Sequence, residues 1–290
     1  MKQMTITIDT DFDGLSVAEL LETWLIPRKE RYLLLQEKRL LVNGEAVSAD
    51  KIIAAADRIE FFWQEPELTV PDASLATGPV EILYEDENLI VVNKRENLKT
   101  HANSANEASL LTDLEIQENQ KFYVVHRLDE ATSGCILFAK NSFVLPILSA
   151  AFEKHQIHRT YQALVSGHFA QKSFTINAAI GRDRHHTSRQ RVSKTGKSAV
   201  THITVIEEMK NTTLVSCQLE TGRTHQIRVH LASTGHAVVG DVLYRGEKAA
   251  RLMLHAKEIH FSLPFSKETL SVSAESASFQ AGLDRAKHLM

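Results

Sequence analysis

Two short segments concentrate the chemically able residues of this 290-residue chain. In the first, Val125-His126-Arg127-Leu128-Asp129-Glu130-Ala131-Thr132-Ser133-Gly134, an apolar run ends in a charged pair and then in small, turn-forming residues. Such a pattern sets an aspartate at a sheet edge, although an isolated R-x-D pair can equally cap a loop. The second, Thr221-Gly222-Arg223-Thr224-His225-Gln226-Ile227-Arg228-Val229-His230-Leu231, packs two arginines, a glutamine and two histidines into the start of a helix, where the backbone dipole adds to their charge. That is a surface for handling anions. Between them, 181–200 carries Arg182, Arg184, Arg189, Arg191, Lys194 and Lys197 against Asp183 alone, a net +5. A run of this kind is either a solvated loop or a grip on phosphates. His185 and His186 add charge to it below about pH 6.5.

Other chemistries find less support. Asp9, Asp11, Asp13 and Gly14 match the opening of a calcium loop, but Leu20 stands where the bidentate acid belongs, so a solvated turn is expected. His225 and His230 are five apart, which separates them around a helix, and no Cys/His cluster or H-E-x-x-H occurs. No metal is expected. Cys135 and Cys217 are the only cysteines, which argues against a disulfide framework and for a reducing compartment. With no secretory signal and no run of roughly 18 apolar residues, no membrane partner is expected and the cytoplasm is the expected location.

The elements that must position these residues follow from patterning. Hydrophobic residues at 43% and charged residues at 24% describe a folded, soluble chain, and a net charge of −3 argues only globally against nucleic acid. Pro66, Pro71 and Pro79 lie beside Gly78 in a stretch with the composition of a linker, expected over 65–80. Before it, 4–8 alternates like a strand, 17–24 and 29–35 have helical spacing, and Asn43-Gly44 marks a tight turn. Five bases against two acids give +3 over 26–42. After it, strands are expected at 81–84, 89–92, 122–126, 135–139, 160–165, 201–207, 213–219 and 252–261, with helices at 106–117, 142–155 and 223–233. Strands that follow one another directly favour an α+β fold on a mostly antiparallel mixed sheet. The expected organisation is a small α/β module over 1–64, a linker, and a larger domain over 81–290.

Three motifs in order resemble one family. H-R-L-D-x-x-T-S-G at 126–134, R-x-Y-x-A-L-V-x-G at 159–167, and T-G-R-T-H-Q-I-R-V-H-L followed by G-H-x-x-x-G-D at 221–241 are similar to the RluA-type RNA pseudouridine synthases. The resemblance covers roughly 80–265, including Leu83-Tyr84-Glu85-Asp86-Glu87. The first 64 residues are similar to the small ribosomal-protein-type (alpha-L) RNA-binding module, through Leu20-Leu21 and Leu41-Val42-Asn43-Gly44. Two departures stand out. Ser16-Val17-Ala18 replaces that module's usual Arg-Leu-Asp, and Lys94-Arg95-Glu96-Asn97 replaces the synthases' Lys-Pro-x-Gly. Asn97 is expected to adopt the left-handed turn that glycine would take.

The resemblance implies that a uridine within ribosomal or transfer RNA is flipped into a central RNA-binding cleft, detached from its ribose, turned, and rejoined through carbon 5. Flipping costs about a few kcal/mol of unstacking. Arg127 then fills the vacated space. The essential aspartate falls on Asp129, with Arg228 as the cation that keeps a desolvated carboxylate ionised. Attack on the sugar, addition to the base and removal of a ribose proton all remain open for it. Tyr161 matches the tyrosine that stacks on the flipped uracil and lies where the carbon 5 proton leaves. A phenol of pKa about 10 is a poor base unless a cation such as Arg159 lowers it. RNA contacts are expected from His126, Arg127, Arg223, His225, Gln226 and the 182–197 bases. No cofactor is needed for an isomerisation, and a monomer is expected. The rival reading is an RNA-binding assembly factor that keeps the fold without catalysis.

Overall fold

The computed structural model describes residues 1–67, 69–104 and 107–288. At the N-terminus, strands Lys2–Thr7, Arg58–Trp63, Leu40–Val42 and Glu45–Ala46 form an antiparallel sheet in that spatial order. Asn43 and Gly44 take φ of +53° and +84°, the turn expected of that pair. Helices Val17–Thr23 and Arg28–Gln36 bury Leu20, Leu21 and Leu34 in one cluster with Ile59 and Phe61. Ser16 caps the first of them, exchanging hydrogen bonds with Glu19. The Asp9 side chain accepts from the Asp11 N–H and caps a 3-10 turn, Thr10–Phe12.

The second sheet holds ten strands. Its path runs Ser173–Asn177, Val200–Glu208, Thr212–Leu219, His158–Ser166, Leu254–Ser262, Ser133–Ala139, Leu89–Lys94 and Glu81–Glu85. Among the described residues, Leu254–Ser262 against Ser133–Ala139 is its one parallel pairing, so the chain has the mostly antiparallel α+β architecture that the patterning predicts. That junction explains the glycine ending the T-S-G motif. Gly134 has φ +116°, and a Cβ there would lie 2.1 Å from the Ala256 carbonyl oxygen. Only glycine lets the two strands meet. Because Ala256 also pairs with Tyr161, the loop before Ser133 and the R-x-Y strand are brought together across one central strand.

Several expectations shift. The strand expected over 122–126 shortens to Tyr123–Val124, since the chain beyond turns away to line a cleft. The helix expected over 106–117 is Leu110–Glu118, with Asn106 outside the described residues. Helices Leu145–Glu153 and Gln226–Ser233 are shorter than their predicted 142–155 and 223–233. Arg58–Trp63 and the C-terminal helix Ala277–His288, which buries Phe279 and Leu283, have no counterpart among the expected elements. No described helix is long and apolar enough to cross a membrane.

The proline-bearing segment is strapped down. Glu65 accepts hydrogen bonds from the Trp63 indole, the Tyr123 hydroxyl and both the N–H and hydroxyl of Ser142. Thr77 donates its N–H and hydroxyl to Asp113 at 2.7 and 2.6 Å. The two sheets also share apolar packing: Trp24 meets Phe265 edge-on at 5.2 Å, and Phe61 and Trp63 lie 4.9 and 5.4 Å from Phe143. Phe143→Ala is therefore expected to cost about 3–5 kcal/mol. Both tryptophans lie in the first 63 residues, so urea unfolding followed by fluorescence and by far-ultraviolet dichroism should give coincident transitions; separate midpoints would show that the two sheets do not unfold together.

Candidate active site

A cavity of about 1260 Å³ opens between the 124–132 loop, strand His158–Ser166 and the start of helix Gln226–Ser233. Asp129 stands in it on a loop held from behind. The fully buried Lys94 donates to the carbonyls of Arg95, Leu98 and Glu130 at 2.9, 2.6 and 2.9 Å, which uses all three protons of its ammonium group. Burial pulls its pKa down to about 7, against the opposing pull of the Asp129 and Glu130 carboxylates. Asn97, within the loop that Lys94 gathers, has φ +58°, the left-handed turn expected of it. On the other side Thr100 exchanges hydrogen bonds with the Leu128 backbone, both at 3.2 Å.

Arg228 reaches Asp129 from helix Gln226–Ser233, its Nη1 lying 3.2 Å from Oδ2. Its other two nitrogens grip Asp241, Nε on Oδ2 at 2.7 Å and Nη2 on Oδ1 at 2.9 Å. Burial opposes the guanidinium charge, but these bonds outweigh it and raise the pKa above its ordinary value. The same Asp129 oxygen faces His225 Nε2 at 3.9 Å. Asp241 follows Gly240, where φ is +81° and a Cβ would lie 1.8 Å from the Arg251 carbonyl oxygen. The G-D pair of the third motif is thus a tight backbone crossing followed by the arginine's anchor.

Tyr161 is 5% exposed on the cleft wall. Burial raises its pKa, and the Arg159 charge that was expected to lower it only partly offsets this. Arg127 is exposed and lines the cleft. Arg223 is exposed too, its Nε donating to the Ser198 carbonyl at 2.9 Å.

Two expected RNA contacts are corrected. Gln226 is buried and uses its amide inside the fold, accepting from Thr221 and the Arg223 N–H and donating to Val200 and Thr201. His126 accepts the Leu137 N–H on Nε2 at 3.1 Å and packs 4.7 Å from Phe152. Burial, with help from Arg159, drops its pKa to about 3, so it brings no cation to RNA. The basic stretch is a two-stranded hairpin, Ile180–Arg182 with Gln190–Val192, standing outside the cavity's lining. Arg182, Arg184, Arg191, Lys194 and Lys197 are exposed on it, whereas Arg189 is turned onto Asp183. Lys94, Asp241 and Tyr244 also hold the site together, and sequence reasoning leaves them unassigned. Asp241 closes a quoted motif and Lys94 ends an apolar strand, but Tyr244 carries no local signal.

Comparison with known proteins decides the family. The model for RNA pseudouridylate synthase matches residues 88–233, and that for the RluD ribosomal pseudouridine synthase N-terminal domain matches 4–59. The chain belongs to the RNA pseudouridine synthases. An uncharacterized RNA pseudouridine synthase of Bacillus subtilis, YhcT, is 38% identical over 83% of this chain and 82% of its own. Ribosomal large subunit pseudouridine synthase D of Nitrosomonas europaea is 31% identical over 91% of this chain and 82% of its own. Among solved structures, human RNA pseudouridylate synthase domain containing 1 superposes with a TM-score of 0.58 at 28% identity, covering 73% of this chain and 86% of that one. The protein is thus an isomerase that converts uridine in RNA to pseudouridine.

The buried pair makes a direct test of the architecture. Asp241→Ala leaves the Arg228 charge half-partnered and is expected to destabilise the protein by about 3–5 kcal/mol. A urea titration of the variant checks this; a loss under about 1 kcal/mol would mean that Arg228 does not depend on Asp241.

Proposed function

We propose that Asp129, Tyr161 and Arg228 carry out this isomerisation on a uridine in structured ribosomal RNA. The observation that carries the reading is the Asp129 carboxylate, which lines the cleft and is bonded by a buried guanidinium on one oxygen alone. A pure RNA binder has no use for a carboxylate there, since it repels phosphate. The cavity exceeds the roughly 300–1,000 Å³ of small-molecule pockets, which suits a flipped nucleotide with its neighbours.

The reaction breaks the bond from the ribose C1′ to N1 and forms one from C1′ to C5; C5 loses its hydrogen and N1 gains one. No electrons leave the substrate, so the residues need only hold, turn and release the base. Asp129 supplies the charge that assists cleavage, whether it acts on sugar or base. Tyr161 walls the pocket on which uracil stacks; with its phenol kept protonated by burial, stacking is its contribution at neutral pH. Arg127 takes the place of the flipped base, its planar guanidinium stacking on or bonding to the neighbours.

Residues 1–64 would serve as the RNA-binding module, joined through 65–80 to the synthase domain over 81–290. Its match to the N-terminal domain of a ribosomal synthase, together with relatives that act on the large subunit, favours ribosomal over transfer RNA. All proposed catalytic groups come from one chain, in keeping with a monomer, and two unpaired buried cysteines are in keeping with the cytoplasm.

Asp129→Asn is expected to abolish pseudouridine formation while RNA affinity stays within a few-fold; wild-type modification by that variant would remove the assignment. Replacing Arg182, Arg184, Arg191, Lys194 and Lys197 by glutamine should weaken RNA binding and flatten its salt dependence, by about 0.7–0.9 in log–log slope for each phosphate left without its cation. Filter binding between 50 and 200 mM salt reads the slope, and an unchanged slope would make the hairpin a bystander.

A further inference from the structure

His225, expected among the RNA contacts, lines the cleft with its ring turned toward Asp129. It caps helix Gln226–Ser233 with φ 57° and ψ 21°, a left-handed conformation that costs a side-chain-bearing residue energy and is held only where surroundings impose it. One such surrounding is Tyr244. Its ring lies edge-on to the imidazole at 5.7 Å, and its hydroxyl is 3.0 Å from His225 Nδ1.

Of the two described partners of the Tyr244 hydroxyl, only His225 can receive its proton. Tyr244 Oη already accepts the Gln190 N–H at 2.9 Å, and an amide nitrogen has no lone pair to receive a proton in return. Burial lifts the phenol's pKa to about 12, so at neutral pH it keeps its proton and donates it to His225 Nδ1. Nδ1 is then the unprotonated nitrogen of a neutral ring, and Nε2 carries the hydrogen. Burial, reinforced by Arg228, keeps the imidazole's pKa below its ordinary value despite Asp129 and Asp241. The groups facing the ring are therefore Asp129 from the catalytic loop, Arg228 from its own helix, and Asp241 and Tyr244 from the turn beyond.

Nε2 lies 3.9 Å from Asp129 Oδ2, the oxygen already bonded by Arg228 at 3.2 Å. Among the described residues no hydrogen bond is made to Oδ1. We propose that His225 is a positioning residue for Asp129: its Nε2–H, fixed in that tautomer by Tyr244, closes onto Oδ2 beside Arg228 when RNA fills the cleft, and so presents Oδ1 as the reacting oxygen. Catalytic hydrogen bonds often stand long in an empty site and shorten in the complex. This rests on the reading of Asp129 given above.

The test compares His225→Phe, His225→Gln, Tyr244→Phe and Asp129→Asn with the wild type, using ribosomal RNA transcripts labelled with tritium at uridine C5, whose release follows the reaction. His225→Phe keeps the ring and loses the donor. Its single-turnover rate at saturating RNA should fall at least tenfold with Kd unchanged within twofold, and His225→Gln, which restores an N–H, should recover part of that loss. Tyr244→Phe removes the bond that keeps the hydrogen on Nε2, so part of the neutral ring holds it on Nδ1 and the single-turnover rate should fall by about threefold or more with Kd unchanged within twofold. A wild-type rate in His225→Phe, a loss expressed only in Kd, or a wild-type rate in Tyr244→Phe overturns the proposal. Tyr244→Phe, which deletes a single oxygen, decides it where a His225 variant does not fold. Retained activity in Asp129→Asn would overturn the reading of the site itself, whereas an inactive Asp129→Asn beside a wild-type His225→Phe overturns the role of His225 alone.

Discussion

Arg228 lies between two carboxylates with a single charge to share, and the geometry of the cleft depends on how its nitrogens are divided. Left alone with Asp129, a guanidinium prefers the two-pronged arrangement that ties both carboxylate oxygens. Asp241 prevents this by taking Nε and Nη2 itself, so that only Nη1 remains for Asp129. The Asp129 carboxylate is thereby hydrogen-bonded by the guanidinium on one oxygen alone. Asp241 can sit there because Gly240 lets the chain pass against Arg251, and Asp129 because Lys94 gathers its loop from behind. Both supports are backbone constraints that converge on one side chain.

The division leaves a charge imbalance: two carboxylates share one cation in a cleft that must accept polyanionic RNA. Arg127, Arg159 and Arg223 line the same cavity and offset it. The whole chain repeats this pattern. Removing the +5 of 181–200 from a total of −3 leaves −8 elsewhere. At a Debye length of about 8 Å a phosphate feels the nearest side chains and little of the rest. A near-neutral isoelectric balance therefore describes an average over surfaces that RNA meets separately.

What the sequence disclosed about the site were residue types at fixed spacing: the Asp129 and Arg228 motifs, the R-x-Y strand, the basic run. What it hid was burial. His126 and Gln226 read as polar residues in an RNA-facing motif, yet their hydrogen bonds go to the Leu137 N–H and to the Val200–Thr201 backbone and side chain. Lys94 reads as the charged end of an apolar strand, and its three carbonyl partners become visible only when the loops fold over it. Tyr244 stands far from its partners Gln190 and His225 along the chain, a relation that no periodicity encodes. In the fold, alternation found the central strands, while Arg58–Trp63 escaped because Phe61-Phe62-Trp63 masks the inward run of Ile59, Phe61 and Trp63.

The N-terminal module illustrates how charge and position part company. Its +3 segment looks like a basic edge, but Arg31 is paired with Glu22, and Arg39 with Glu30 and Glu37. Among the described residues this leaves Arg28, Lys29 and Lys38 without a carboxylate within 4.0 Å, beside a Tyr32 that is 62% exposed and able to stack on a base. So few free charges give little affinity by themselves. Their value comes from the shared core of Trp24, Phe61, Phe143 and Phe265, which holds the module against the synthase sheet rather than on a loose tether. A tethered module would incur an ordering cost each time it met RNA alongside the cleft; one already packed in place has met that cost on folding. An RNA contact there, held at fixed distance from Asp129, would act mainly on which RNA shapes can reach the cleft, and less on how tightly any one of them binds.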